Sequence, residues 1–182
     1  GIGCPGNRDR HDIAGILAQA EHIQVGDGNV IDRPEGHQLA SSGWTNLTPW
    51  DTPREEDEPR LKERLLGIVA QATVAPERLV LGLQAPPYDT NLDVAPRIDG
   101  ETLTVQGQDT AHVGSTAVKE VIKEVQPILS LHGHIHESRA AERIGRTLAI
   151  NPGSSYVEGS LSGVIVELDG KSKLKRYRLT MG

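Results

Sequence analysis

The segment Leu131-His132-Gly133-His134-Ile135-His136-Glu137 places three histidines within five positions, where a short aliphatic run stops. Neutral imidazole is the commonest protein metal ligand and carries protons near neutral pH. On an extended or loop backbone, side chains two apart point the same way, so His134 and His136 are expected to converge while His132 faces elsewhere. Gly133 lets the backbone come close, and Glu137 is placed to accept a hydrogen bond from a ligating ring. Taken alone, such a pair is as common among exposed or hydrogen-bonded turn histidines as among metal ligands.

The elements that must position these residues can be read from periodicity. HDIAGILAQAEHI spaces Ile13, Ile16, Leu17 and Ala20 on one helical face, and a hairpin is expected to turn at Arg33-Pro34-Glu35-Gly36. In TPREEDEPRLKERLLGIVAQA, Thr52 as N-cap, Pro53 in the first turn and Glu55 closing a capping box predict a helix. Its buried face is Leu61, Leu65, Ile68, Val69 and Ala72, with Pro59 delaying or kinking the regular part. RLVLGL reads as a buried strand, Asp99-Gly100 as a hairpin turn, and STAVKEVIKEVQP as a helix capped by Ser115 and stopped before Pro127. Val118, Val121, Ile122 and Val125 are its packing residues. The strand PILSL leads to the histidines. TLAI, the NPG turn and a final hairpin follow, with Lys171, Lys173 and Lys175 expected on one face of an edge strand, guarding it by charge or forming a small anion patch.

With 182 residues the chain suits one domain with a real core, built from aliphatic side chains because there is no Phe, two Trp and three Tyr. A net charge of −6 argues against a general nucleic-acid or anionic-membrane surface. Cys4 is the sole cysteine, which rules out an intrachain disulfide and fits a reducing, cytoplasmic setting. No apolar run approaches the roughly 20 residues of a membrane span.

Gly6-Asn7-Arg8-Asp9, Pro86-Pro87-Tyr88 and Gly133-His134-Ile135-His136 each follow an apolar run, in this order, and Asn151-Pro152-Gly153-Ser154 comes after them. This order resembles the calcineurin-like metallophosphoesterases, whose signature runs D-x-H, GD, GNH[D/E], a histidine before a PP pair, and GHxH. The stretches TPWDTPREEDE, PPYDTNLD, HVGSTAVKEVI and QPILSLHGHIHES are similar to small archaeal-type members, and the likeness covers most of the chain.

The resemblance implies an α/β (α+β) fold, a four-layer sandwich of two mixed β-sheets flanked by helices. It also implies a site for two divalent cations, Mn²⁺ or Mg²⁺ favoured and Fe or Zn possible, where a metal-bound hydroxide attacks a phosphate mono- or diester. By position, Asn7, Gln84, His134 and His136 would hold metal, and Asp9 would match the carboxylate that orients the family's catalytic histidine. Arg8 would steady phosphate, and His112 could reach the substrate. Each has a plainer role beside this one: Asn7 a turn residue, Asp9 a surface carboxylate, Arg8 a solvated arginine, Gln84 a partner for water, and His112 a structural histidine beside a helix cap.

Three departures weigh against the resemblance. The D-x-H and GD elements expected upstream of Gly6 are absent from the sequence, so residues 1–182 are expected to form one phosphoesterase domain incomplete at its N-terminus, oligomeric or poorly soluble alone, with fewer than two metals. Arg8 stands where the family often has histidine, and a guanidinium stays charged and donates no proton. Gln84 stands where a histidine ligand is expected, and its amide oxygen is a weak, hard donor, tolerable for Mg²⁺ or Mn²⁺ and poor for Zn²⁺. Two outcomes therefore stand side by side: a metal-dependent phosphoesterase, or an impaired module that binds a phosphate ligand or a partner protein without turnover.

Overall fold

A computed structural model of the chain describes residues 1–99, 102, 104–170 and 173–182. The chain enters through β1 (Ile2–Gly3), passes the Gly6-Asn7 loop and α1 (Ile13–Leu17), and returns in β2 (Gln24–Val25), which pairs in parallel with β1. The helix is shorter than its apolar spacing predicts. It has five residues, none buried, and Ile16 is 58% exposed. Gly15 lies inside it, Asp12 makes no side-chain cap, and a short helix whose apolar face is only half covered has little to sustain it.

β3 (Val30–Arg33) and β4 (His37–Ser42) form the expected hairpin, turning through Glu35 and Gly36 at positive φ. β5 (Thr45–Asn46) and β6 (Glu55–Glu56) then pair in parallel, and α2 spans Glu58–Val69. This corrects the expected start at Thr52. Glu55 does accept from the Thr52 N–H at 3.0 Å, but in non-helical chain, and the helix is capped by Asp57, whose carboxylate accepts from Arg60 N–H. Pro59 decides the matter. In the interior of a helix begun at Pro53 it would lose a hydrogen bond and strike the carbonyl of Glu55, whereas in the first turn of α2 it is accommodated.

β7 (Leu79–Leu83) is buried as expected, followed by β8 (Val94–Ile98) and β9 (Val105–His112), an antiparallel pair. Of its predicted turn, Asp99 donates its N–H to the Thr104 carbonyl, while Gly100 lies outside the described residues. α3 (Thr116–Val125) is capped by the Ser115 side chain, which accepts from Val118 N–H. β10 (Leu129–His132), β11 (Ala140–Ile144), β12 (Thr147–Asn151), β13 (Ser162–Leu168) and β14 (Leu174–Met181) complete the chain. Lys171 lies outside the described residues and Lys173 precedes β14. Of the three lysines expected on one strand face, Lys175 is the one on the strand, paired with Glu167 at 3.3 Å.

One mixed sheet of order β11-β12-β10-β7-β4-β3 organises the molecule, its four inner strands parallel and its two outer strands antiparallel to their neighbours. Alternation along β7 divides two cores. Leu79, Leu81 and Leu83 pack with Leu61, Leu65 and Ile68 of α2 and Val118, Val121 and Ile122 of α3, while Val80 joins Leu129, Leu148 and Ile150 beneath Val164, Val166 and Leu179 of the β13–β14 ribbon. The expected α/β sandwich is thus observed, and among the described residues the layer facing the large sheet is this two-stranded ribbon. The helices are joined at their N-termini by Glu58, whose carboxylate accepts from Ser115 Oγ (2.6 Å), Thr116 N–H (3.1 Å) and Ala117 N–H (2.8 Å). Among the described residues no helix is long and apolar enough to cross a membrane.

β10 ends in a buried histidine. The ring nitrogens of His132 lie 2.8 Å from the Ala85 carbonyl and 2.8 Å from Ser130 Oγ, so it faces away from His134 as expected. Burial pushes its pKa from 6.5 down to about 4.

The packing carries two stability predictions. Leu81→Ala should cost about 2–5 kcal/mol in urea unfolding and Glu58→Ala about 1–2 kcal/mol; a larger loss at Glu58 than at Leu81 would contradict the assignment of core and cap. Unfolded His132 takes up a proton below about pH 6.5 and the folded form only below about pH 4. The unfolded state therefore binds more protons in that window, and stability, complete above it, falls as pH drops through it, by roughly 2 kcal/mol from pH 7.5 to pH 5 for this residue. Comparison with His132→Asn at both pH values isolates that share, and an equal pH dependence in the variant would refute it.

A candidate metal centre at the carboxyl ends of the strands

Parallel strands deliver their following loops to one edge of the sheet, and that edge gathers the polar segments here. Register pairs His132 with Leu83, so the residues that follow, Gly133 and Gln84, meet directly, and Gly133 N–H donates to the Gln84 carbonyl at 3.2 Å. The Gly6-Asn7 loop leans in from β1. It can do so because Gly43 has no side chain: a Cβ there would overlap the Pro5 carbonyl oxygen.

Asn7, 4% exposed, is the hub. Its Oδ1 accepts from Gln84 Nε2 at 3.1 Å and faces His134 Nδ1 at 3.1 Å, while its Nδ2 donates to Thr52 Oγ1 at 2.9 Å. Thr52 Oγ1 gives its single hydrogen to Glu55 Oε1. Burial pushes the Glu55 pKa up, but hydrogen bonds from Thr48 and Thr52 outweigh it and hold the carboxyl below its ordinary value. The ionised carboxylate can only accept, so Thr52 must donate to it and accept from Asn7, which leaves the Asn7 carbonyl oxygen aimed at His134.

His134 sits in a three-residue turn, with Ile135 N–H donating to the Gly133 carbonyl at 2.7 Å and φ of 64° at His134 itself. Of the extended or loop backbone expected here, the chain adopts a loop, and this turn directs the ring. Positive φ in a non-glycine residue costs of order 1–3 kcal/mol and is concentrated at functional sites. Burial, then the nearby His136, pushes its pKa down to about 4, so the ring is neutral near pH 7 with a lone pair to offer.

The sequence-predicted residues separate into two groups. Asn7, Gln84 and His134 meet. His136 is exposed beside His134 and accepts Ser154 N–H on its carbonyl, and Arg8, also exposed, adds to the effects that lower His134. Asp9 closes its own loop, its carboxylate accepting from Gly6 N–H at 2.8 Å. His112 stands against Asp93 at 2.8 Å rather than within the Asn7 cluster. Sequence reasoning missed Thr52 and Glu55 as supports of Asn7, and it missed buried Arg54, whose guanidinium binds the Asp9 and Arg10 carbonyls. It also missed buried Asn151, which donates to the Leu92 carbonyl at 3.1 Å and the Ile135 carbonyl at 2.8 Å. The NPGS motif was the only signal for the last.

Among the described residues, no group of three or more His, Cys, Asp or Glu side chains gathers as a metal site. The cluster that does form offers two amides and an imidazole, all neutral. Gln84 turns its NH₂ group toward Asn7 and would have to reverse its amide to offer oxygen; with that turn the set fits a single hard divalent cation, held weakly, and does not by itself fit a pair, which needs bridging anionic ligands. Asn7 Oδ1 and His134 Nδ1 are 3.1 Å apart, a hydrogen bond in which the ring donates; a cation replacing that hydrogen would meet ligands about 3 Å apart for bonds near 2.1 Å.

Residues 74–173 match the family described as metallophosphoesterase, calcineurin superfamily. The chain is 27% identical over 150 residues to "Uncharacterized protein MJ1162" of Methanocaldococcus jannaschii, covering 81% of this chain and 61% of that protein, so it spans less than two thirds of that relative's length. All of it superposes on the crystal structure of TT1561 of Thermus thermophilus with a TM-score of 0.61 at 16% identity, covering 71% of that chain. A second crystal structure matches with a TM-score of 0.65 at 17% identity, 64% of that chain being covered. Such low identities speak for the fold alone. The family match extends over more than half of the residues and includes Gln84, His112 and the GHIH loop: the chain belongs to the metallophosphoesterases of the calcineurin superfamily.

Proposed function

We propose that the chain serves metal-dependent hydrolysis of a small phosphate mono- or diester in the cytoplasm. The observation that carries this is the meeting of Asn7 Oδ1, Gln84 and His134 Nδ1 at the carboxyl edge of the sheet of a metallophosphoesterase. Asn7 and His134 would hold one cation, joined by Gln84 once its amide turns to present oxygen, with His136 beside them toward a second. Mn²⁺ or Mg²⁺ suits amide oxygens better than Zn²⁺ does. When bound, the cation supplies Lewis acidity toward water and a phosphoryl oxygen.

The chain's own residues do the rest. Glu55 and Thr52 keep the Asn7 carbonyl oxygen turned inward, and burial keeps His134 neutral. Arg8 grips the phosphate through charge and hydrogen bonds, but its guanidinium gives up no proton. The all-neutral donor set supports a second reading, an impaired module that binds a phosphate ligand or partner protein without turnover. Self-association of the chain is part of either reading.

Elemental analysis after Mn²⁺ loading, with hydrolysis of a generic monoester and diester, separates the two. One weakly held Mn²⁺ per chain, removed by chelator, and slow turnover are expected. Gln84→His with Arg8→His should tighten Mn²⁺ by about tenfold or more and raise turnover. No metal and no turnover even in that double variant would establish the non-catalytic reading.

A further inference from the structure

His112 ends β9 with one side of its ring committed. Its Nδ1 lies 2.8 Å from Asp93 Oδ1, and Asp93 is wholly buried. That carboxylate is fixed by the N–H groups of Asp89 (3.1 Å), Thr90 (3.0 Å) and Gly114 (2.9 Å). Gly114 is required for this approach, since a Cβ would stand 2.6 Å from the Pro86 carbonyl oxygen and 2.8 Å from Asp93 Cβ. The carboxylate serves these N–H groups as an acceptor; with Nδ1 donating to it as well, Nε2 is the nitrogen left for another partner, in a side chain that is 40% exposed. This is the arrangement of a histidine oriented for proton transfer.

The groups facing the ring favour its charged form. Asp93 is the first cause of a raised pKa, through its hydrogen bond. Asp89 Oδ1 lies 3.9 Å from Nε2, Lys119 holds that carboxylate at 3.2 Å and opposes the rise, and Tyr88 stands edge-on at 6.0 Å. Asp89 also has a positive φ of 55°, a second non-glycine residue so held at this edge.

The loops that carry the dyad are tied to those of the candidate metal centre. Ser115 N–H donates to the Pro86 carbonyl at 2.8 Å and Tyr88 N–H to the Ser115 carbonyl at 3.0 Å, tying the loop after His112 to the loop after Gln84. Asn151 bridges the carbonyls of Leu92, next to Asp93, and Ile135, next to His134. Arg8, meanwhile, leaves a phosphoesterase without a proton donor at the position where the family often has histidine.

We propose that His112, oriented by Asp93, donates the proton to the leaving group of the phosphoester; this rests on the hydrolytic reading above. The bond from phosphorus to the leaving oxygen breaks as the bond from the water oxygen forms. The Nε2 proton passes to the departing oxygen, and the proton released by the attacking water restores the imidazolium through solvent. Ester and water become alcohol and phosphate, with no redox change.

The test uses the full-length protein with Mn²⁺ and two substrates. An alkyl phosphomonoester needs its leaving oxygen protonated, whereas p-nitrophenyl phosphate releases a stable anion. His112→Asn should lower kcat on the alkyl ester by roughly 100-fold or more and on p-nitrophenyl phosphate by less than about fivefold, and should remove the alkaline fall of the alkyl-ester pH profile. Asp93→Asn should move that fall to lower pH. A series of leaving groups on the unaltered protein gives a reading that needs no variant: a shallow dependence of rate on leaving-group pKa is expected. Equal losses on both substrates, or a steep dependence in the unaltered protein, would overturn the role of His112 while leaving hydrolysis in place. No turnover by the unaltered protein of either monoester, or of the corresponding alkyl and p-nitrophenyl diesters, would overturn the hydrolytic reading, and this role with it.

Discussion

The site depends on one oriented amide. Asn7 could present either end of its side chain to His134, and the choice is made by a chain of donors that ends on a carboxylate: Glu55 takes the Thr52 hydrogen, and Thr52 takes one from Asn7. Reversing the amide would set its oxygen against Thr52, whose hydrogen is already committed, and leave a buried polar atom without a match, at about 1–3 kcal/mol. The carbonyl oxygen therefore faces inward whether or not a ligand is present. A weak neutral donor is useful when it arrives already aimed.

That aim is supported by the sheet. Parallel pairing of β7 with β10 sets Gln84 against Gly133, and the two helices bury the face that holds those strands level. Loops that would otherwise be free are fastened by single buried side chains: Arg54 holds the Asn7 loop, Asn151 the histidine loop, and Asp93 the loop before it. Strain at His134 and Asp89 is sustained by this fastening. Buried polar contacts add to the apolar anchoring of Ala85, Leu92 and Ile135 in holding the rim.

Much of this was legible in the residues. β7, the hairpin through Pro34–Gly36 and the Ser115 cap of α3 follow from periodicity and turn chemistry, because each is decided locally. GHIH and APP marked the loops that meet. What sequence did not reveal was decided at long range. Thr52-x-x-Glu55 has the pattern of a capping box and forms its contact, yet Pro59 starts the helix later and frees the pair to support Asn7. α1 shows the reverse, an apolar stripe that is only half covered and buries no residue fully. His134 turns toward Asn7 through a positive φ that no side-chain periodicity encodes.

Asn7 and His134 must act together on a cation for this site to work, and locating that cation is the most direct test. Crystals of the protein soaked in Mn²⁺ and measured at the manganese absorption edge should show an anomalous peak at coordination distance, about 2.1–2.3 Å, from both Asn7 Oδ1 and His134 Nδ1. A peak elsewhere, or none while those two atoms keep their direct contact, would contradict it.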